Sequence, residues 1–248
     1  MKKLFYLIFL FTMPLLGQND ALFEAGNAAY NNGNYEAAIE NYEEILNSGE
    51  TSDELYYNLG NAHYKLNNIA PSIYYYEKAL QLNPNDQDIK NNIEFARNMA
   101  IDDIEEVQKS GFTAIWKDTV SVLDYNEWGW LAISLAVMFS IFFLIYYFSR
   151  KTFQKRLFFT LSMIAVGGML FAVVFAFQQK SYVTSEQFAV IFTEEAEVRS
   201  EPTQRSEEIF TLHEGTKIEI IETYQDWVKF ELANGLQGWT DKSYLKFL

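Results

Sequence analysis

The sequence predicts a multidomain membrane protein: an all-α helical repeat domain, a two-helix transmembrane hairpin and a small all-β barrel. Three observations lead there. From about Asp20 the chain repeats itself at a period of 34. Two uncharged apolar runs, Leu131 to Phe148 and Leu157 to Phe177, flank a short basic segment. After Phe188 the apolar residues change from helical spacing to alternation.

Residues 1–17 carry Lys2 and Lys3 and then an apolar run from Leu4 to Leu16, the charged and hydrophobic regions of a secretory signal peptide. Cleavage is expected near Gly17/Gln18, with an uncleaved anchor and three spans as the alternative. Residues 18–108 are read as two repeats, 19–52 and 53–86, followed by a capping helix. Ala25-Gly26-Asn27-Ala28 recurs as Leu59-Gly60-Asn61-Ala62, Tyr30 as Tyr64, Ala38 as Ser72 and Tyr42 as Tyr76. Gly26/Gly60 and Ala38/Ser72 are expected where the helices of a unit touch, and Tyr42/Tyr76 between units. Ile89, Ile93, Ala96 and Ile101 give the cap its inward face.

Period and positions resemble the tetratricopeptide repeat, with Ile69 where Tyr35 stands in the first unit, Ser72 for the usual Ala and Glu50 for the closing Pro. The resemblance implies a solenoid with a partner-binding groove lined by the first helix of each unit. Here that is Phe23, Asn27, Tyr30, Tyr57, Asn58, Asn61, Tyr64 and Lys65. Asn27 and Asn58 stand where some such domains clamp a peptide carboxylate, but Phe23 occupies the place of the basic residue. An extended or helical protein segment is the expected ligand, with plain packing of the tyrosines as the alternative.

Residues 102–110 are charged and are read as linker or cap. Residues 109–129 form a juxtamembrane segment whose Phe112, Ile115, Trp116, Val120 and Leu123 recur at helical spacing; it lies in the membrane interface or packs on the repeats. Transmembrane helices are expected over 130–148 and 157–178, joined by the loop 149–156. The apolar runs of 18 and 21 residues reach about 27 to 32 Å as helices, the thickness of a bilayer core. Arg150, Lys151, Lys155 and Arg156 make the loop basic and place it in the cytoplasm, with both long flanks outside. Ala132, Ala136 and Ser140 on the first helix and Gly168, Ala172 and Ala176 on the second form stripes of small residues expected to pack.

A polar linker, 179–187, leads to the barrel, 188–248. Apolar stretches near 188–192, 196–199, 209–212, 217–221, 227–230 and 238–240 read as strands, separated by turn signals at Glu201-Pro202, Glu214-Gly215 and Asn234-Gly235. Val198-Arg199, Pro202, Gly215, Trp227 and Gly238-Trp239 stand in an order that resembles bacterial SH3-like domains. Glu197 and Glu201 depart from that pattern.

The chain has no cysteine, and its net charge is −14. Residues 20–127 carry 20 Asp+Glu against 6 Lys+Arg, and residues 181–248 carry 13 against 6. Nucleic acid and anionic lipid are disfavoured as partners. His63 and His213 have no metal-ligand spacing around them, and no phosphate loop or nucleophile motif occurs. Glu43/Glu44, Asp102/Asp103 and Glu207/Glu208 read as solvated faces. A non-enzyme without metal or cofactor is expected.

The order of modules is similar to that of the BatE family of Bacteroides aerotolerance operon proteins. That resemblance implies a membrane complex with aerotolerance proteins bearing von Willebrand factor type A domains and, indirectly, a MoxR-type ATPase, in oxygen or stress tolerance. The expected function is an inner-membrane scaffold binding partner segments through the repeat groove. Alternatives are an envelope sensor that binds peptidoglycan through the barrel, or a non-catalytic cofactor of a wall hydrolase or transporter.

Overall fold

A computed structural model describes residues 19–105, 111–185 and 187–248, so the expected signal peptide lies outside the described residues. The chain folds as two units. One holds the repeats together with the C-terminal β domain, the other residues 108–186.

The repeats comprise α1 (residues 19–31), α2 (Tyr35–Asn47), α3 (Asp53–Lys65) and α4 (Ile69–Leu82), followed by α5 (Gln87–Arg97). Starts are set by capping side chains: Asn34 accepts from Ala37 N, Ser52 from Leu55 N, and Asp86 from Asp88 and Ile89 N. The turn inside each pair needs a left-handed residue, supplied by Gly33 (φ 78°) and, 34 positions on, by Asn67 (φ 65°). A Cβ on Gly26 would lie 2.4 Å from the Tyr42 ring, and one on Gly60 2.6 Å from Tyr76. Each buried tyrosine therefore seats on a glycine. Ser72 Oγ donates to the Gly60 carbonyl at 3.0 Å, a link that alanine could not make.

Helix α5 is the first helix of a third unit. Its buried Ile89, Ile93 and Ala96 stand 34 positions after the buried Leu55, Leu59 and Ala62. The same spacing relates two amide clusters. Asn27 Oδ1 accepts from Tyr42 Oη (2.8 Å) and Asn58 Nδ2 (3.1 Å), and Asn61 Oδ1 accepts from Tyr76 Oη (2.7 Å) and Asn92 Nδ2 (2.8 Å). Each buried phenol keeps a partner by this means.

The β domain is one seven-stranded antiparallel sheet of order β3-β2-β6-β5-β4-β1-β7. Its strands are β1 (Gln187–Ile191), β2 (Glu195–Arg199), β3 (Glu208–His213), β4 (Lys217–Tyr224), β5 (Trp227–Glu231), β6 (Gln237–Asp241) and β7 (Leu245–Phe247). Its core holds Ala189, Ile191, Val198, Leu212, Ile218 and Phe230. A Cβ on Gly238 would lie 2.2 Å from Val198, so only glycine lets β6 pass that close.

Strand β1 is buried on both faces. Ala189 and Ile191 point into the β-domain core, whereas Val190 joins the repeat core with Phe192 packed beside it. That two-sided burial is why the stretch is uninterruptedly apolar. The surface it meets is α4, whose Ile73, Tyr74, Tyr75, Tyr76 and Glu77 are all buried. Gly215, a left-handed turn residue (φ 88°) between β3 and β4, completes the contact: a Cβ there would lie 2.9 Å from Ile69 and 3.0 Å from Ile73.

The second unit contains α6 (Phe112–Val120), α7 (Tyr125–Phe148) and α8 (Thr152–Ser185). A capping box starts α7: Asp124 accepts from Asn126 and Glu127 N, and Glu127 accepts from Asp124 N. Both long helices are long and apolar enough to cross a membrane. Their apolar side chains are mostly exposed, among them Ile133 (55%), Leu144 (55%), Ile164 (64%) and Phe171 (67%), unlike core helices of a water-soluble fold. Helix α8 continues through Ser185, so the stretch read as a polar linker is helical almost to β1. Trp116 and Trp128 both stack edge-on against Phe175, and Trp128 Nε1 donates to the Val120 carbonyl, so α6 packs on α8.

The seam between α7 and α8 covers five of the six small residues expected there, all but Ser140. Ala132 and Ala172 are buried and Gly168 meets Leu135, but Ala136 and Ala176 are only half-buried and Ser140 is exposed. Covered or half-covered positions within the spans include 132, 135, 136, 139, 142 and 146 on α7, and 158, 161, 162, 165, 168, 169, 172, 175 and 176 on α8. Among them 132, 135, 139, 142 and 146, and 158, 162, 165, 168 and 172, are spaced by threes and fours. Such spacing averages 3.5 residues and keeps one face on the partner helix; a strict spacing of four drifts off it. Phe142 against Phe158 and Tyr146 against Phe159 close the end near the loop.

Two outcomes follow. Ala172→Leu disrupts the hairpin while Ser140→Leu leaves it intact, read as loss or retention of thermal stability in detergent; equal effects would contradict the heptad seam. Tyr76→Ala destabilises the repeat domain by about 3–5 kcal/mol, measured by denaturant unfolding of the detergent-solubilised protein.

Candidate functional site

The groove residues expected from the repeats fall into two sets. Tyr30, Asn61, Tyr64 and Lys65 line a hollow of about 140 Å³, together with Tyr76, Asn92 and Phe95. Lys65 is exposed and Phe95 is 58% exposed. Phe23, Asn27, Tyr57 and Asn58, all half-buried, lie outside this hollow's lining. Phe23 and Tyr57 tilt against Tyr42 and Tyr76, and the Tyr57 hydroxyl accepts from Asn92. Asn27 and Asn58 are joined to each other through the amide cluster. Asn92 and Phe95 went unread in the sequence although they stand 34 positions after Asn58 and Asn61, which is the signal that finds them.

A second hollow, of about 300 Å³, lies on the β domain between Glu197, Arg199, Gln204, Trp227, Asp241 and Tyr244. Of the residues that carry the barrel pattern, Arg199 and Trp227 reach it. Val198, Gly215 and Gly238 are buried in packing, and Pro202 and Trp239 are half-buried elsewhere on the domain. Arg199 holds the β2–β3 loop: Nη1 donates to the carbonyls of Gln204 (3.1 Å) and Ser206 (2.7 Å), and Nη2 pairs with Glu197.

Between repeats and β domain runs a polar seam. Glu77 is 5% exposed and takes Arg97 of α5 on one oxygen (2.8 Å) and Lys217 of β4 on the other (2.7 Å). Asp102 was expected on a solvated face, but its side chain is only 13% exposed. Its carboxylate accepts from His213 N (2.6 Å), faces His213 Nδ1 (2.8 Å) and accepts from Thr216 Oγ1 (2.6 Å). Burial pushes the Asp102 carboxyl upward, yet the hydrogen bonds from Thr216 and His213 outweigh it and hold it below the usual range. Lys246 of β7 lies over the Tyr74 ring at 4.4 Å, with Phe192 and Tyr75 beside it.

His63 sits behind this cluster, stacked on Tyr75 at 5.4 Å, with Asn68 at its Nδ1 and its buried Nε2 without a hydrogen-bond partner among the described residues. Burial first, and Lys246 second, lower its pKa to about 4. Among the described residues no group of three His, Cys, Asp or Glu is placed to hold a metal.

The pH dependence of stability has a definite sign. The unfolded chain protonates His63 near its ordinary 6.5 and the folded chain only near 4. Acidification through that window favours unfolding by at most about 3 kcal/mol. Asp102, whose folded pKa is depressed, adds a further loss below the carboxylate range. His63→Phe flattens the loss between pH 6.5 and 4 in melting curves, while Asp102→Asn leaves that window sloped.

Three family models match parts of the chain: a TPR repeat over residues 26–67, a tetratricopeptide repeat over 54–86 and a bacterial SH3 domain over 194–246. No curated protein matches. One solved structure found is an NlpC/P60 family protein from Bacillus cereus ATCC 10987, 18% identical over 29% of this chain and 23% of that protein, with a TM-score of 0.22. The chain thus spans under a quarter of that protein's length. The chain carries tetratricopeptide repeats, two helices long and apolar enough to cross a membrane, and a bacterial SH3 domain.

Proposed function

We propose that the protein is a non-catalytic, membrane-anchored scaffold whose repeat groove holds segments of partner proteins. The observation that carries this reading is the hollow on the first-helix face. Aromatic rings (Tyr30, Tyr64, Phe95) surround two side-chain amides (Asn61, Asn92), with Lys65 at the rim. Rings offer apolar area with little side-chain entropy to lose, and amides suit the backbone of an extended segment. Phe95, which lines this hollow, is 58% exposed.

Charge supports an orientation with the 149–156 loop in the cytoplasm and both flanks in the periplasm. In this arrangement α6 lies in the outer interface of the inner membrane, where its exposed Phe112 (79%) and Ile115 (65%) meet lipid. A module order similar to that of the BatE family supports a role for the scaffold in an aerotolerance or stress-tolerance complex. Its partners there bear von Willebrand factor type A domains, and a MoxR-type ATPase acts indirectly. A second reading, an envelope sensor that binds peptidoglycan, is favoured by the bacterial SH3 match.

Co-purification after crosslinking in membranes tests the scaffold. Membrane proteins recovered with the native chain are lost with Lys65→Glu/Phe95→Ser, a variant that changes exposed groove residues and leaves the melting temperature unchanged. Recovery of wall fragments alone, equal for both chains, contradicts the scaffold and favours the sensor.

A further inference from the structure

We propose that the hollow on the β domain binds a lysine or arginine side chain of a basic segment in a protein partner. This goes beyond the groove-centred scaffold and stands on different residues.

The hollow's walls include Trp227 and Tyr244, whose ring faces attract cations. Its lining carries two carboxylates and one cation, and the cation is already engaged. Arg199 is paired with Glu197 and donates to two loop carbonyls, which neutralises it internally. Asp241 uses Oδ1 to accept from Ser243 N and Oγ, and its Oδ2 has no hydrogen bond among the described residues. A carboxylate with a free oxygen and two aromatic side chains in one lining favour a positively charged group.

Size and charge select the source. A hollow of about 300 Å³ lies at the small end of ligand sites and suits one long side chain rather than a glycan strand. Residues 187–248 carry 12 Asp+Glu against 6 Lys+Arg, a field that draws in a basic segment and repels a polymer bearing carboxylates of its own. An arginine or lysine stem lies along the rings while its charged end meets Asp241.

Fluorescence anisotropy on the full-length protein in detergent tests this, using labelled acetyl-(Ala-Lys)4-amide and its (Ala-Gln)4 counterpart as probes. The lysine probe binds more tightly than the glutamine probe, and added salt weakens it. Asp241→Asn, which keeps an oxygen to cap Ser243, weakens lysine-probe binding by about fivefold or more. Glu44→Gln, the same charge change at an exposed site on α2, has no effect. Trp227→Leu, checked for an unchanged melting curve, gives the same loss as Asp241→Asn. Equal binding of the two probes, or equal weakening by Glu44→Gln, overturns the proposal. Retention of purified peptidoglycan that depends on Asp241 while the lysine probe fails to bind also overturns it, in favour of a wall ligand.

Discussion

A carboxylate inside a helical core is strongly unfavourable unless both of its oxygens meet charge or hydrogen-bond donors. Glu77 meets that requirement through residues from two other parts of the chain, Arg97 of α5 and Lys217 of β4. The second repeat, its continuation and the β domain are therefore coupled at one atom group. Removing Arg97 or Lys217 leaves one oxygen of the buried Glu77 carboxylate without its charged partner. Asp102 repeats the device a short distance on, closing around the β3–β4 turn with two hydrogen bonds and a His213 contact. Gly215 lets that turn approach α4 closely enough for both clusters to form.

Local regularities were readable in the sequence. The 34-residue period fixes where Gly26 and Gly60 seat Tyr42 and Tyr76, because a helical pair built twice must solve the same packing problem twice. Alternation and turn residues locate six of the seven strands; β7 is only three residues long and offers too little pattern to detect. The seam between repeats and β domain is different in kind. Lys217 lies 140 positions from Glu77 and His213 lies 111 from Asp102, and no period links residues so far apart. Two signs of it were present all the same. Ile73-Tyr74-Tyr75-Tyr76 fills every side of α4 with large residues, more than a repeat helix open on one side needs. The uninterrupted Ala189-Val190-Ile191-Phe192 is more than a strand facing water on one side needs. For the hairpin, the small residues mark part of the packing face, and bulky Leu135, Phe142 and Tyr146 complete it.

This coupling changes what the two binding surfaces can do. Joined only through a membrane hairpin, groove and hollow would gain avidity from an effective concentration set by flexible segments. Docked into one unit, they present a fixed spacing. A partner that engages both must match that geometry. The groove faces the first-helix side of the repeats while the β domain covers α4, a second helix, so docking leaves the groove accessible. The buried, uncharged His63 lies behind Lys246 in this same region, so acid loosens the face that the β domain covers.

The most direct test of this coupling is hydrogen–deuterium exchange on the full-length protein in detergent, comparing the native chain with Glu77→Gln/Asp102→Asn. If the repeats and β domain are fastened through these two carboxylates, α4, α5 and the turn from His213 to Lys217 exchange slowly in the native chain and accelerate together in the variant. Faster exchange confined to the β domain, with α4 and α5 unchanged, would show that the repeats stand without it and would contradict the account.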